Sequence, residues 1–273
     1  MFDIFYLNLQ GKNKIMASNQ HNLTNQWPKL EKAPVVVAIC QIKFDENSIN
    51  VNDFLRFDDR MRRYLPNRND NIAASISIRN NTPIPLGKAA INGVSEAKIS
   101  GYQYFSNDQK EKLEISTEGI TYTNEAIYTG WDNFKTKFLK YLEPFSSILE
   151  RITIKRISIR FINQFEIEEF NNPAEYFNTV ISSTGKRTDF QYLLLKYGFR
   201  MTVDAGDGIY SIINQNADKK TDKFIYIFDI DVLNGNNLLY TPDAVDKALD
   251  QLREIKNNIF FNNITDKIIE LCN

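Results

Sequence analysis

Between positions 151 and 170 the chain reads RITIKRISIRFINQFEIEEF, and through most of that length apolar and polar residues alternate. Ile157, Ile159, Phe161, Phe165 and Ile167 share one side; Arg156, Ser158, Arg160, Gln164, Glu166 and Glu168 share the other. A period of two is that of a β-strand, whose successive side chains leave opposite faces. A long strand with one greasy side and one charged side belongs in an antiparallel sheet that is covered on one face and wet on the other. Every other segment has to be placed against that sheet.

A second strand is read at APVVVAICQIKF (33–44), where Cys40, Ile42 and Phe44 turn inward while Gln41 and Lys43 turn outward. VNDFLRFDDRMRRYL (51–65) has Val51, Phe54, Leu55, Met61 and Leu65 near helical spacing, and Pro66 stops it. Strands follow at 72–79, 97–105, 109–117 and 119–126, with a Pro- and Gly-bearing loop after the first of them. In YTGWDNFKTKFLKYL (128–142), Phe134, Phe138, Tyr141 and Leu142, continued by Phe145, form the apolar stripe of a helix. Thr129 and Asp132 fit a capping box at its start. The second half repeats this order. The strand at 152–170 precedes a short helix capped by Asn172 with Pro173 in its first turn. Strands at 189–203, 208–215 and 223–233 come next. A closing helix starts at Thr241 and Pro242, its stripe formed by Val245, Ala248, Leu249, Leu252, Ile255 and Ile259.

This order predicts an α+β fold: a curved antiparallel sheet with two long helices on one face, built from pseudo-repeated halves at 33–150 and 151–273. The arrangement is of the helix-grip or TATA-box-binding-protein type. Residues 29–273 read as one domain. Residues 1–28 read as an N-terminal tail, with Met16 as the expected natural start because the apolar opening MFDIFYL carries Asp3 and no basic leader.

Composition removes several chemistries. The formal net charge of −1 sets up no global field toward nucleic acid or anionic membrane. The single histidine, His21, lies in a polar stretch, which argues against Ser-His-Asp triads and multi-histidine metal centres. Cys40 and Cys272 form no metal-ligand or disulfide pattern, as expected of a reducing, cytoplasmic home. No apolar run is long enough to span a membrane. SSTGKRTD (182–189) lacks the glycine spacing of a phosphate loop, and DAGDG (204–208) reads as a hairpin turn. No cofactor is expected, and an enzyme is the less favoured reading.

The polar side of the sheet holds the candidate site. Arg156, Arg160, Lys196 and Arg200, joined by Lys98, Ser100, Tyr102 and Tyr104 if all face one way, would suit an anionic ligand: guanidinium groups hold carboxylates or phosphates, and tyrosines offer stacking surfaces. The competing reading is local pairing of Arg156 and Arg160 with Asp229, Asp231 or Glu166 on a solvated face. The expected role is a non-enzymatic binding or interaction protein with a protein partner. A nucleic-acid-binding module on the basic and aromatic face is one alternative, and a second copy of the chain is another possible occupant. The enzymatic alternative is a metal-dependent phosphodiesterase or nuclease in which Asp229, Asp231 and Glu166 hold the ion.

Four segments together carry a family resemblance: KLEKAPVVVAICQIKF, AIYTGWDNF, RISIRFINQFEI, and FDIDV followed by a helix closing in IFFNNITDKIIELCN. In this order they resemble a sporadically distributed, functionally uncharacterised bacterial family, with Ser158 standing where that family usually has glycine. The resemblance implies one full-length prokaryotic domain and no catalytic residues. Its patchy distribution is similar to that of genes in mobile elements and phage-defence loci.

Overall fold

The computed structural model describes residues 27–45, 49–76, 94–168, 173–178 and 196–273. Residues 1–26 of the expected tail, with Met16 and His21, lie outside them, as do the glycine-lysine stretch at 182–189 and the Asn172 cap; the tail's last two residues, Trp27 and Pro28, instead pack against the domain, with Trp27 stacked on Phe261. Ten strands form one antiparallel sheet. They are β1 (Val35–Phe44), β2 (Asn67–Ile76), β3 (Val94–Phe105), β4 (Glu111–Ser116), β5 (Gly119–Asn124), β6 (Thr153–Ile167), β7 (Lys196–Gly206), β8 (Ile209–Lys220), β9 (Lys223–Asn234) and β10 (Leu238–Leu239). The order across the sheet is β2-β3-β4-β5-β1-β6-β9-β8-β7, with β10 beside β6. β1 therefore lies between β5 and β6, and β6 between β1 and β9.

The helices are α1 (Asp58–Arg62), α2 (Trp131–Leu142), α3 (Ser146–Leu149), α4 (Pro242–Asn263) and α5 (Asp266–Leu271). α2 and α4 cover the face toward which Cys40, Ile42, Tyr122, Ile159, Phe161 and Phe228 point, all of them buried. Phe134 meets Phe161 edge-on and stacks on Tyr122, while Phe260 stacks on Phe228. Alternation along β6 thus sorts the core from the open face as the sequence requires. Lys135 joins the two long helices, reaching Asp246 at 2.8 Å and Asp250 at 2.9 Å; the Trp131 indole N–H donates to the same Asp250 at 2.8 Å.

Three local expectations need correction. Residues 51–57 form a 3-10 helix, and only Asp58–Arg62 are α-helical. Val51, Phe54 and Phe57 recur every third residue, the period of that tighter helix, and Asn50 caps it by accepting from the Asn52 amide. At the start of α2 the cap is Gly130, with φ +112° and no side-chain hydrogen bond; Thr129 instead accepts from the Asn133 side chain. The closing helix is interrupted after Asn263 because Ile264 leaves helical geometry to bridge Phe177, and the Thr265 amide donates to the Tyr176 carbonyl. By contrast, the DAGDG stretch is the expected turn between β7 and β8, with positive φ at Gly206, Asp207 and Gly208.

Candidate functional site

On the face opposite the helices, the register sets Arg160 between Ile39 of β1 and Asp231 of β9. The adjacent row runs Ile162, Asp229, Asn214, Arg200 across β6, β9, β8 and β7. Arg160 donates from Nε to Asp229 Oδ1 at 2.8 Å and from Nη2 to Oδ2 at 2.7 Å, and Asn214 donates to Oδ2 at 2.9 Å. Two parallel bonds of this kind are the strong form of an ion pair. They raise the Arg160 guanidinium above its ordinary pKa. Of the four basic residues expected on this face, Arg160 is therefore already engaged.

The other three differ. Arg156 donates to the Gln41 side chain, a neutral partner, and its Nε is buried without a hydrogen bond. Arg200 faces Asn214 across the β7–β8 pair, and Lys196 faces Asp218, whose carboxylate is taken by Lys220 at 2.6 Å. Among the described residues none of Arg156, Lys196 and Arg200 forms an ion pair, and the last two are exposed on the strand at the sheet's end. Asp231 Oδ1 is also buried without a hydrogen bond, and burial raises the Asp231 carboxyl against the opposing charges of Arg160 and Arg156.

Tyr102 and Tyr104 do not join this group. Both are fully buried on the helix-covered face, where Tyr102 donates to Asn52 at 3.2 Å and Tyr104 to Asp58 at 2.9 Å. A register shift between β2 and β3 near Ser100 accompanies this placement, and the large rings fill the space beneath the 3-10 helix. The Lys98 side chain lies outside the description. Asp229 and Asp231 do share the open face, but Glu166 pairs with Lys223. Glu166 also stands four residues along β6 from the partner of Asp229, roughly 13 Å away at the rise of a strand. Among the described residues no group of three or more His, Cys, Asp or Glu side chains is placed to hold a metal ion.

A second feature lies on the helix side. Trp27–Val35 form one wall of a groove of about 440 Å³, Tyr128–Trp131 form another, and Asn163, Arg253, Lys256, Asn257, Phe260 and Phe261 complete it. The first wall is tied to the C-terminus: the Lys32 amide donates to the Cys272 carbonyl at 2.7 Å, and the Glu31 amide to the Asn273 side chain at 3.1 Å. Trp27 stacks on Phe261 with ring centres 5.1 Å apart. Lys256 is half-buried, and its ammonium lies over the Phe161 ring, 4.6 Å from the ring centre. Burial, reinforced by the charge of Arg253, pushes its pKa down to about 7. Sequence reading passed over this lysine, yet a signal was there. Lys256 falls four residues after Leu252 and four before Phe260, inside the stripe that buries α4.

Comparison with protein-family models, curated proteins and solved structures returned no match.

Proposed function

We propose that the chain is a non-enzymatic binding protein that holds an acidic surface of a protein partner on its open sheet face. The observation behind this reading is that Arg156, Lys196 and Arg200 stand on that face without ion-pair partners among the described residues, while Arg160 is held by Asp229. A nucleic-acid reading is weaker: burial of Tyr102 and Tyr104 removes the expected stacking platform, and Lys43, Lys112 and Lys223 pair with Glu118, Glu125 and Glu166. A metal-dependent nuclease is weaker still, because Asp229 is saturated by Arg160 and Asn214.

The architecture is read as a pseudo-repeat of the helix-grip type. In each half the first strand pairs with the last long strand, β1 with β5 and β6 with β9, and a long helix follows, in the second half after the two-residue β10. In this reading the chain acts as one component of a multi-gene bacterial system, the setting implied by its sequence likeness. The test is copurification from the host cell with the chain and with the triple variant Arg156→Glu, Lys196→Glu, Arg200→Glu. The expected result is a partner retained by the parent, released as salt rises and lost from the variant, with circular dichroism confirming that the variant is folded. A partner held equally well by the variant would contradict the reading.

A further inference from the structure

The groove between the Trp27 segment, the Tyr128–Trp131 turn and α4 is built from two kinds of group. Trp27, Tyr128, Trp131, Phe260 and Phe261 supply flat apolar walls. Arg253 and Lys256, one turn apart on α4, supply positive charge. Neither cation has a hydrogen-bond or ion-pair partner among the described residues; Arg253 lies 5.9 Å from the Trp131 ring, and Lys256 rests on Phe161. The indole N–H of Trp27 is likewise buried without a hydrogen bond. Lysine, arginine and indole nitrogens donate and do not accept. The buried group left unbonded at this groove is thus a donor, and two unpaired cations stand beside it among aromatic rings; among the described residues the exposed Glu31 carboxylate is the one acidic side chain of the lining. A cation drawn partly out of water without a bonded counter-charge costs stability, and a bound anion would offset that cost.

We propose that this groove is a binding site for a small organic anion bearing an aromatic ring, its carboxylate or phosphate held by Lys256 and Arg253 and its ring laid against Trp27, Tyr128 and Trp131. The volume lies within the range of small-molecule sites. Each segment that carries the sequence likeness contributes to the walls: Pro34 and Val35 from the first, Tyr128, Gly130 and Trp131 from the second, Asn163 from the third, Phe260 and Phe261 from the last. The site lies on the helix side and does not depend on the sheet-face reading.

The chain's two tryptophans, Trp27 and Trp131, both line the groove, so intrinsic tryptophan emission reports directly on its occupancy. Adenosine monophosphate, phenyl phosphate and benzoate are titrated, with adenosine, benzamide and inorganic phosphate as controls that carry only the ring or only the charge. Calorimetry is run in parallel. At least one ring-bearing anion is expected to give a saturable change, at least about tenfold tighter than its matched controls. A response to the phosphates but not to benzoate assigns a phosphate ligand, and the reverse assigns a carboxylate. Lys256→Met and Arg253→Met should each weaken binding by about tenfold or more, with Lys256→Arg retaining most of it. Circular dichroism checks the fold of each variant, and Arg253, an exposed residue, provides a change that folding tolerates. The proposal is overturned if none of the three anions gives a saturable signal, if the neutral rings bind as tightly, or if both methionine variants bind like the parent.

Discussion

Replacing Arg160 by methionine strips both guanidinium bonds from Asp229, whose side chain is 7% exposed, and leaves that carboxylate with Asn214 alone. Orphaning one member of a buried pair costs about 3–5 kcal/mol. Here the Arg160 side chain is 42% exposed, so water already screens part of the attraction, and the expected loss falls to roughly 2–3 kcal/mol. Asp229→Asn works in the other direction: it leaves a cation that turns toward solvent, and the expected cost is about 1 kcal/mol. The double variant should cost less than the two single losses together, by about 1–2 kcal/mol. Urea unfolding followed by circular dichroism measures all three, with an unchanged slope as the check that the unfolded state is the same. If Asp229→Asn proves the costlier change, or if the two losses simply add, the assignment of Arg160 as a structural partner of Asp229 fails. It would then return to the candidate contact residues.

Lys256→Met should stabilise the chain near pH 6, by about 1–2 kcal/mol after allowance for solvent and for the Phe161 ring. The folded-state pKa near 7 lies below the unfolded value, so the unfolded chain binds the extra proton and the penalty on the parent is largest below pH 7. It fades as pH rises toward the ordinary lysine value, and the two melting curves should converge there. The other ionisable groups of the groove, Arg253, Lys29, Glu31 and Tyr128, are common to both proteins and cancel in the difference. A pH-independent difference would contradict the assignment. Gly130→Ala should cost roughly 1–3 kcal/mol through backbone strain alone: φ is +112° there, and an added Cβ meets nothing within 4 Å. A melting temperature unchanged by that substitution would show that the turn relaxes.

Much of the sheet was legible because period two is a strong signal wherever one face is buried. β6 carried it through Ile157, Ile159 and Phe161, and β1 through Cys40, Ile42 and Phe44. α2 and α4 declared themselves through stripes that do meet the sheet, with Phe138 and Leu252 fully buried. The sides taken by Tyr102 and Tyr104 were not legible, since tyrosine is at home on either face and its hydroxyl found Asn52 or Asp58 beneath a helix. Which cations stay unpaired was hidden as well. That depends on cross-strand register, which sets Asp229 diagonally beside Arg160 and gives Arg156 only the neutral Gln41. Lys256 was visible as a charge inside an apolar stripe, but the groove it lines needs the Trp27 segment folded over α4, a contact between distant parts of the chain.

The seating of β1 between β5 and β6 has a consequence during synthesis. The first five strands leave the ribosome before β6, so they pair while one flank of β1, with Val35, Val37 and Ile39, still lacks its neighbour. Until β6 emerges, that flank is an open template for any passing extended segment. Slow translation or truncation between Asn124 and Thr153 should therefore favour aggregation of the nascent chain, and the arrival of β6 is the event that closes the hazard.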